Sequence, residues 1–476
     1  MLRQFIFEMS RLGRDYNRKN SYLRISIILT ILLLAIGFGS IARQRLLETI
    51  LLSVAAGLFL LIILGRIEWL LLMTIPVSFF IPVDLDTGTN VRINVTFVLS
   101  LIFIAIWMGR LFLIEKRVTL VPSIVNRPAI LFIIATTLSL IAGNLSWSIK
   151  VQTRASLPAQ MGGWALYTIS IITFLAISNQ VKSINWLKKM VGYYILISGP
   201  AFIALLIPWI SANVSQMYVP VSLSSTTRIW LTSLAFGQLL WRQKATLFEK
   251  IGLGLCTFCP VIQSWLYDRE FLSGWIAPLI SIFVLIWLRS WRWGRILTVL
   301  GILLVVANYQ DLFATIMTPT QIYSTESRMA TWPVMFELIK FSPLLGLGPA
   351  NYPYYTHLFP IFGYYIRFNS HNNYFDILAQ TGILGLLSFI WLAITIGWLG
   401  WRLREKVREP FTQGYVNGAL AGFVSTLIAG FMADWFLPFL YNVGFSGFRA
   451  SFFVWFFLGG LVSLEHIVDN KNKMIT

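Results

Sequence analysis

Apolar runs of about 17 to 25 residues, separated by short polar breaks, recur along this chain from Ile25 to Leu464. A run of that length crosses a hydrocarbon core as a helix, because lipid offers no partner to an open backbone. The pattern predicts helices near residues 23–41, 49–65, 67–83, 93–109, 128–144, 163–179, 190–209 and 225–241. Six more are predicted near 250–266, 272–288, 294–309, 382–401, 414–433 and 447–464. The expected fold class is therefore all-α, a polytopic transmembrane bundle of about 12 to 14 spans, allowing for boundary error. One interval breaks the rhythm, the long stretch 310–381. Loops of that size are uncommon unless they have a function. It carries a helical pattern over Glu326–Phe341, a turn at Pro343–Pro349 with Gly346 and Gly348, and a second helical stretch at Asn369–Gln380. The organisation read from this is a basic tail at 1–24, transmembrane helices at 25–309, a large loop at 310–381, C-terminal transmembrane helices at 382–464 and a tail at 465–476.

Composition agrees with lipid as the solvent. The chain of 476 residues is 57% hydrophobic and 12% charged, with a mean hydropathy of +0.74. That much apolar surface does not fit inside a water-soluble core. A net charge of +18 would suggest a nucleic-acid partner in a soluble protein. Here most of the lysines and arginines fall on alternate breaks, as the positive-inside bias requires, so no nucleic acid is expected. The bias puts both termini in the cytoplasm and the 310–381 loop outside, in the inner (plasma) membrane of a cell. Arg3, Arg11 and Arg14 precede the first apolar run with no small-residue cleavage site after it, which reads as a retained tail. Arg43 and Arg45 fall on the outer side and fit this topology poorly. Cys256 and Cys259 lie inside an apolar span and suit packing rather than redox chemistry.

The chemistry-bearing residues gather in the long loop. It is rich in Tyr and Phe, which suit a bilayer interface or stacking on sugar rings. His371 stands at the start of the second helical stretch, with Asn369 or Ser370 placed to cap it. A helix N-terminus disfavours an added positive charge, which keeps the imidazole neutral, the state a general base needs. Arg367 and Arg228 are further anion candidates, each balanced by the ordinary alternative of a structural charge near membrane depth.

From His371 the sequence reads His-Asn, nine residues, Gly382, two residues, Gly385, and then a span. This resembles the His-[Asn/Ser/Gln]-x9-Gly-x-x-[Gly/Thr/Tyr] signature of the bacterial O-antigen ligases. The order Arg328-x-x-x-Trp332, Pro343-Leu-Leu-Gly346-Leu-Gly348, His371-Asn372 is similar to that of the O-antigen ligase and polymerase superfamily. Asp268-Arg269-Glu270 before Gly274 looks like its Ser-Arg-Gly element, with departures in the flanking residues. The resemblance covers about residues 255 to 400. It implies a glycosyltransferase needing no cofactor and no metal, which moves a glycan from undecaprenyl diphosphate to an acceptor hydroxyl, a glycan or a lipid, outside the cell membrane. It also implies His371 as the base, Arg328 and Arg269 on the diphosphate, and Asn372 orienting His371 or a sugar hydroxyl; Trp332, within the matching order, and Arg367 and Arg228, as anion candidates, are the other expected substrate-binding residues. Guanidinium forks hold several phosphoryl oxygens while staying charged, which suits a leaving diphosphate. Arg328 also reads as a snorkelling charge, and Arg269 as an ion-pair partner of Asp268 and Glu270.

Three alternatives remain open on the sequence. A polymerase shares carrier, leaving group and base with a ligase and differs in its acceptor, a second lipid-linked repeat unit. A metal-dependent transferase would use the Asp84-Leu-Asp86 pair, though Asp and Gly also simply make turns. A transporter of an anionic lipid or solute would place charges within spans and show an inverted repeat, which is not evident.

Overall fold

A computed structural model describes residues 67–473 apart from 87–91, 115, 117–118, 146, 149–150 and 152. The basic tail, the expected spans at 23–41 and 49–65, and Arg43 and Arg45 lie outside the described residues. The chain divides into two units, 1–73 and 74–476. Of the first only Ile67–Met73 is described, the start of helix α1 (Ile67–Phe80), and all other described residues belong to the second.

The described residues are helical nearly throughout. After a two-stranded antiparallel hairpin, β1 (Asp84–Asp86) and β2 (Arg92–Asn94), come α2 (Val95–Gly109), α3 (Asn126–Ala142), α4 (Leu157–Gln180), α5 (Ile184–Ala204) and α6 (Pro208–Met217). Next are α7 (Ser225–Trp241), α8 (Leu247–Tyr267), α9 (Leu272–Arg289) and α10 (Trp291–Ala307). The long loop holds α11 (Tyr309–Ile316), α12 (Pro319–Ile339) and α13 (Pro353–Thr356). The chain closes with α14 (Asn373–Lys406), α15 (Pro410–Ala429) and α16 (Gly444–Lys473). Every described segment expected to be a span carries a helix. Among the described residues five are long and apolar enough to cross a membrane: Val95–Phe112, Leu157–Gln180, Leu272–Arg289, Asn373–Lys406 and Gly444–Asn470. Others, such as α7, are shorter, and Ile67–Phe80 and Asn126–Ala142 are short apolar helices.

Helix α16 is the core. Phe452, Phe453, Phe456 and Phe457 are all 1% exposed or less, so its aromatic faces are covered all round by neighbours that include α2, α4, α7, α14 and α15. Helices α7 and α15 approach more closely still. A Cβ on Gly414 would sit 2.8 Å from the carbonyl oxygen of Gly237, and one on Gly418 2.8 Å from that of Ser233. Small residues at four-residue spacing permit such backbone contact where apolar area alone gives no drive to associate. Asp84, of the Asp-x-Asp pair, lies in β1 and accepts from the buried Arg449 of α16 at 2.9 Å, while that guanidinium also donates to the carbonyls of Ile81 and Val83. Cys256 and Cys259 are buried free thiols, with Cys256 Sγ packed against Gly199 of α5.

Candidate active site

Two glycines build the ground on which the site stands. Helix α14 is broken at Gly382, whose φ of 66° is open to glycine and strained for any other residue. The break leaves the carbonyls of Ala379 and Gln380 without partners in their own helix. They accept from Leu347 N–H at 2.8 Å and Gly348 N–H at 3.1 Å. In return Ile383 N–H donates to the Pro343 carbonyl at 2.8 Å and Leu384 N–H to that of Leu344 at 3.3 Å. The turn thus plugs into the break by main-chain bonds alone. A Cβ on Gly382 would strike the Leu344 carbonyl, and one on Gly346, at φ +72°, the Gln380 carbonyl.

Ten residues upstream of that break, Asn372 caps α14, its Oδ1 accepting from Tyr374 N–H at 2.9 Å and Phe375 N–H at 3.3 Å. The cap is therefore neither Asn369 nor Ser370, and Asn372 spends its acceptor on the helix. Asn369 Oδ1 accepts from His371 N–H at 3.2 Å, and His371 itself takes a φ of 47° just outside the helix. Beneath it lies a buried polar cluster. Ser370 Oγ and Tyr352 Oη each donate to Asp376 Oδ1 at 2.7 Å, and Ser370 N–H donates to Tyr352 Oη at 3.1 Å.

His371, Arg328, Arg367 and Asn369 line one cavity of about 560 Å³, walled also by Tyr354 and Tyr441. Helix α12 contributes Tyr323, Ser327 and Thr331, one face at four-residue spacing, with Arg328 beside them. Arg328 Nη1 donates to the Met432 carbonyl at 3.1 Å, and the Arg367 guanidinium lies 4.2 Å over the Tyr354 ring. Burial, with the Arg328 charge as second cause, lowers the His371 pKa to about 4. The imidazole is neutral at physiological pH, as expected, but desolvation and a cation hold it so.

The segment between α15 and α16 adds two residues that the sequence did not single out. Asn442 Nδ2 lies 3.4 Å from His371 Nδ1 and donates to Asp434 Oδ1 at 2.5 Å. Asp434 is 1% exposed, its other oxygen accepts from Phe439 N–H at 2.8 Å, and burial raises its pKa. Asn373 ties this segment to α14, donating to the Leu437 carbonyl at 2.7 Å and accepting from Phe436 N–H at 3.3 Å. An acidic residue set among apolar ones between two spans was the signal available for Asp434.

Four expected residues stand outside the cavity lining: Asn372, which caps α14, and Trp332, Arg228 and Arg269. Trp332 packs its ring 5.7 Å from that of Phe375. Arg228 is buried in α7, donating at 2.9 Å to both Asp268 and Gln263, so Asp268, one of the two acidic neighbours foreseen for Arg269, pairs with Arg228. Arg269 lies over the Trp265 ring at 6.0 Å and lines a separate cavity of about 680 Å³ with Glu270 and Thr318. Thr318 caps α12 and Tyr323 on the same helix lines the first cavity, so about 7.5 Å along α12 separates the two linings.

Residues 272–390 match the family model described as O-antigen ligase. The match takes in Arg328, Trp332, Arg367, His371, Asn372 and both glycines of the joint, and leaves out Arg228, Arg269, Asp434 and Asn442. No curated protein matches the chain.

Proposed function

From an O-antigen ligase domain at residues 272–390 of a multi-pass membrane protein, we propose a glycan transfer from undecaprenyl diphosphate to an acceptor hydroxyl on the outer side of the cytoplasmic membrane. The observation that carries it is a neutral, desolvated imidazole sharing one cavity with two arginines. His371 takes the proton of the acceptor hydroxyl as that oxygen attacks the anomeric carbon. The bond from that carbon to the phosphate oxygen breaks, and the diphosphate leaves with the electron pair. Arg328 and Arg367 stabilise the charge that develops on it. Arg269 takes the far end of the carrier's diphosphate, which must then extend along α12 between the two cavities. Arg228 holds Asp268, and so the turn that bears Arg269. The reaction needs no metal in this reading, and turnover lost to a chelator and restored by manganese or magnesium would overturn it.

The test is transfer in proteoliposomes given lipid-linked glycan and acceptor. His371→Ala is expected to lower turnover by about 10²- to 10⁴-fold while the protein stays folded. Transfer at the parent rate sinks the base assignment. A ligase and a polymerase separate in cells lacking the protein. Long glycan chains accumulating on the carrier mark a ligase, the reading favoured here on the His-Asn-x9-Gly-x-x-Gly spacing; single repeat units mark a polymerase.

A further inference from the structure

A third cavity, of about 1470 Å³, opens among α5, α7, α8 and α15, at the end of the bundle where the basic breaks lie. Its lining carries five cationic side chains, Lys188, Lys189, Arg242, Lys244 and Arg289, against two carboxylates, Glu249 and Glu409. Glu409 pairs with Lys188 at 2.5 Å and Glu249 with Arg242 at 3.0 Å, so a positive excess remains. The charges sit at helix ends and the lining turns apolar along the same helices. On α5 the face from Lys189 continues through Leu196 and Pro200 to Ile203, about 21 Å of helix. That exceeds the roughly 15 Å of one leaflet's hydrocarbon, half a 30 Å core. Gln238 lines the cavity and is 2% exposed; its Nε2 donates to the Phe411 carbonyl at 3.1 Å, while its Oε1 has no hydrogen-bond partner among the described residues.

We propose that this cavity holds one acidic phospholipid. Its phosphate lies among Arg242, Lys244 and Arg289, an acyl chain runs along the Leu196–Ile203 face, and a headgroup hydroxyl donates to Gln238. A cationic end on an apolar trough fits that molecule on both counts, since clustered Lys and Arg at the membrane surface attract anionic headgroups and the trough removes a chain from competition with bulk lipid. None of the residues given to glycan transfer lines this opening, and the lipid assignment does not rest on that reading.

The full chain, reconstituted with an equimolar mixture of phosphatidylglycerol and phosphatidylcholine and extracted in mild detergent, is measured by native mass spectrometry. Retention of phosphatidylglycerol at least tenfold above phosphatidylcholine is expected. Lys244 and Arg289 are not buried, so the Lys244→Glu/Arg289→Glu double variant tests charge without disturbing the core, and it is expected to abolish the preference. The Lys244→Arg/Arg289→Lys variant keeps it, which separates loss of charge from loss of fold. Equal retention of the two lipids, or an unchanged preference after charge reversal, overturns the proposal. So does displacement by millimolar inorganic phosphate or glycerol phosphate, which marks a soluble-anion site.

Discussion

His371 carries its environment in its titration. With a pKa lowered to about 4 against an ordinary value near 6.5, the base is expected to stay active well below neutral pH, the acid limb of kcat/KM falling near pH 4. An inflection near 6.5 sinks the buried-imidazole account. Arg328→Met removes one of the two causes, so the limb moves upward as the rate falls. Linkage has the same sign. Between pH 6.5 and 4 the unfolded chain binds a proton that the folded site refuses, so stability is lost as pH falls through that window. Thermal unfolding of His371→Gln, which does not titrate, is expected to flatten the slope there. The sequence disclosed His371 because its spacing to Gly382 is local. It did not disclose Asn442, 71 positions away, because only the packing of α14 against the segment before α16 brings the two together.

Helix ends explain where reading by pattern stopped short. Helix α12 begins at Pro319 rather than Glu326, since Thr318 caps it and proline suits a first turn, although the early residues are polar. Helix α14 begins at Asn373 and runs past the loop boundary expected at 381, because the break at Gly382 is bridged from outside rather than ending the helix. Gly382→Ala is expected to cost about 1–3 kcal/mol in backbone strain, and more from the collision with Leu344, read as a fall in melting temperature in detergent. Asn372→Ala is expected to cost roughly 0.5–2 kcal/mol through the lost cap. An unchanged melting temperature for Gly382→Ala would show that the joint relaxes at no expense.

Over the described residues, hydropathy located the long helices of the bundle, five of which are long and apolar enough to cross a membrane. On a Cys256→Ala/Cys259→Ala background, Tyr364→Cys beside the His371 cavity is expected to react with an impermeant maleimide in intact cells. Lys244→Cys should react only after permeabilisation. The opposite pattern would invert the topology and leave the transfer with no outer-leaflet acceptor. What hydropathy could not supply is the order of helices around α16, which depends on where glycines let α7 and α15 touch.

The joint between the Pro343–Gly348 turn and α14 fixes the histidine's position with amide hydrogens and carbonyl oxygens, which every residue type but proline provides. Selection therefore has little to hold on to there except the two glycines and Gly348, whose φ of 90° and close approach to Gly143 also exclude a side chain. In a saturation library scored for surface polysaccharide, positions 346, 348 and 382 should reject nearly all replacements, while the exposed side chain of Leu344 tolerates a broad alphabet.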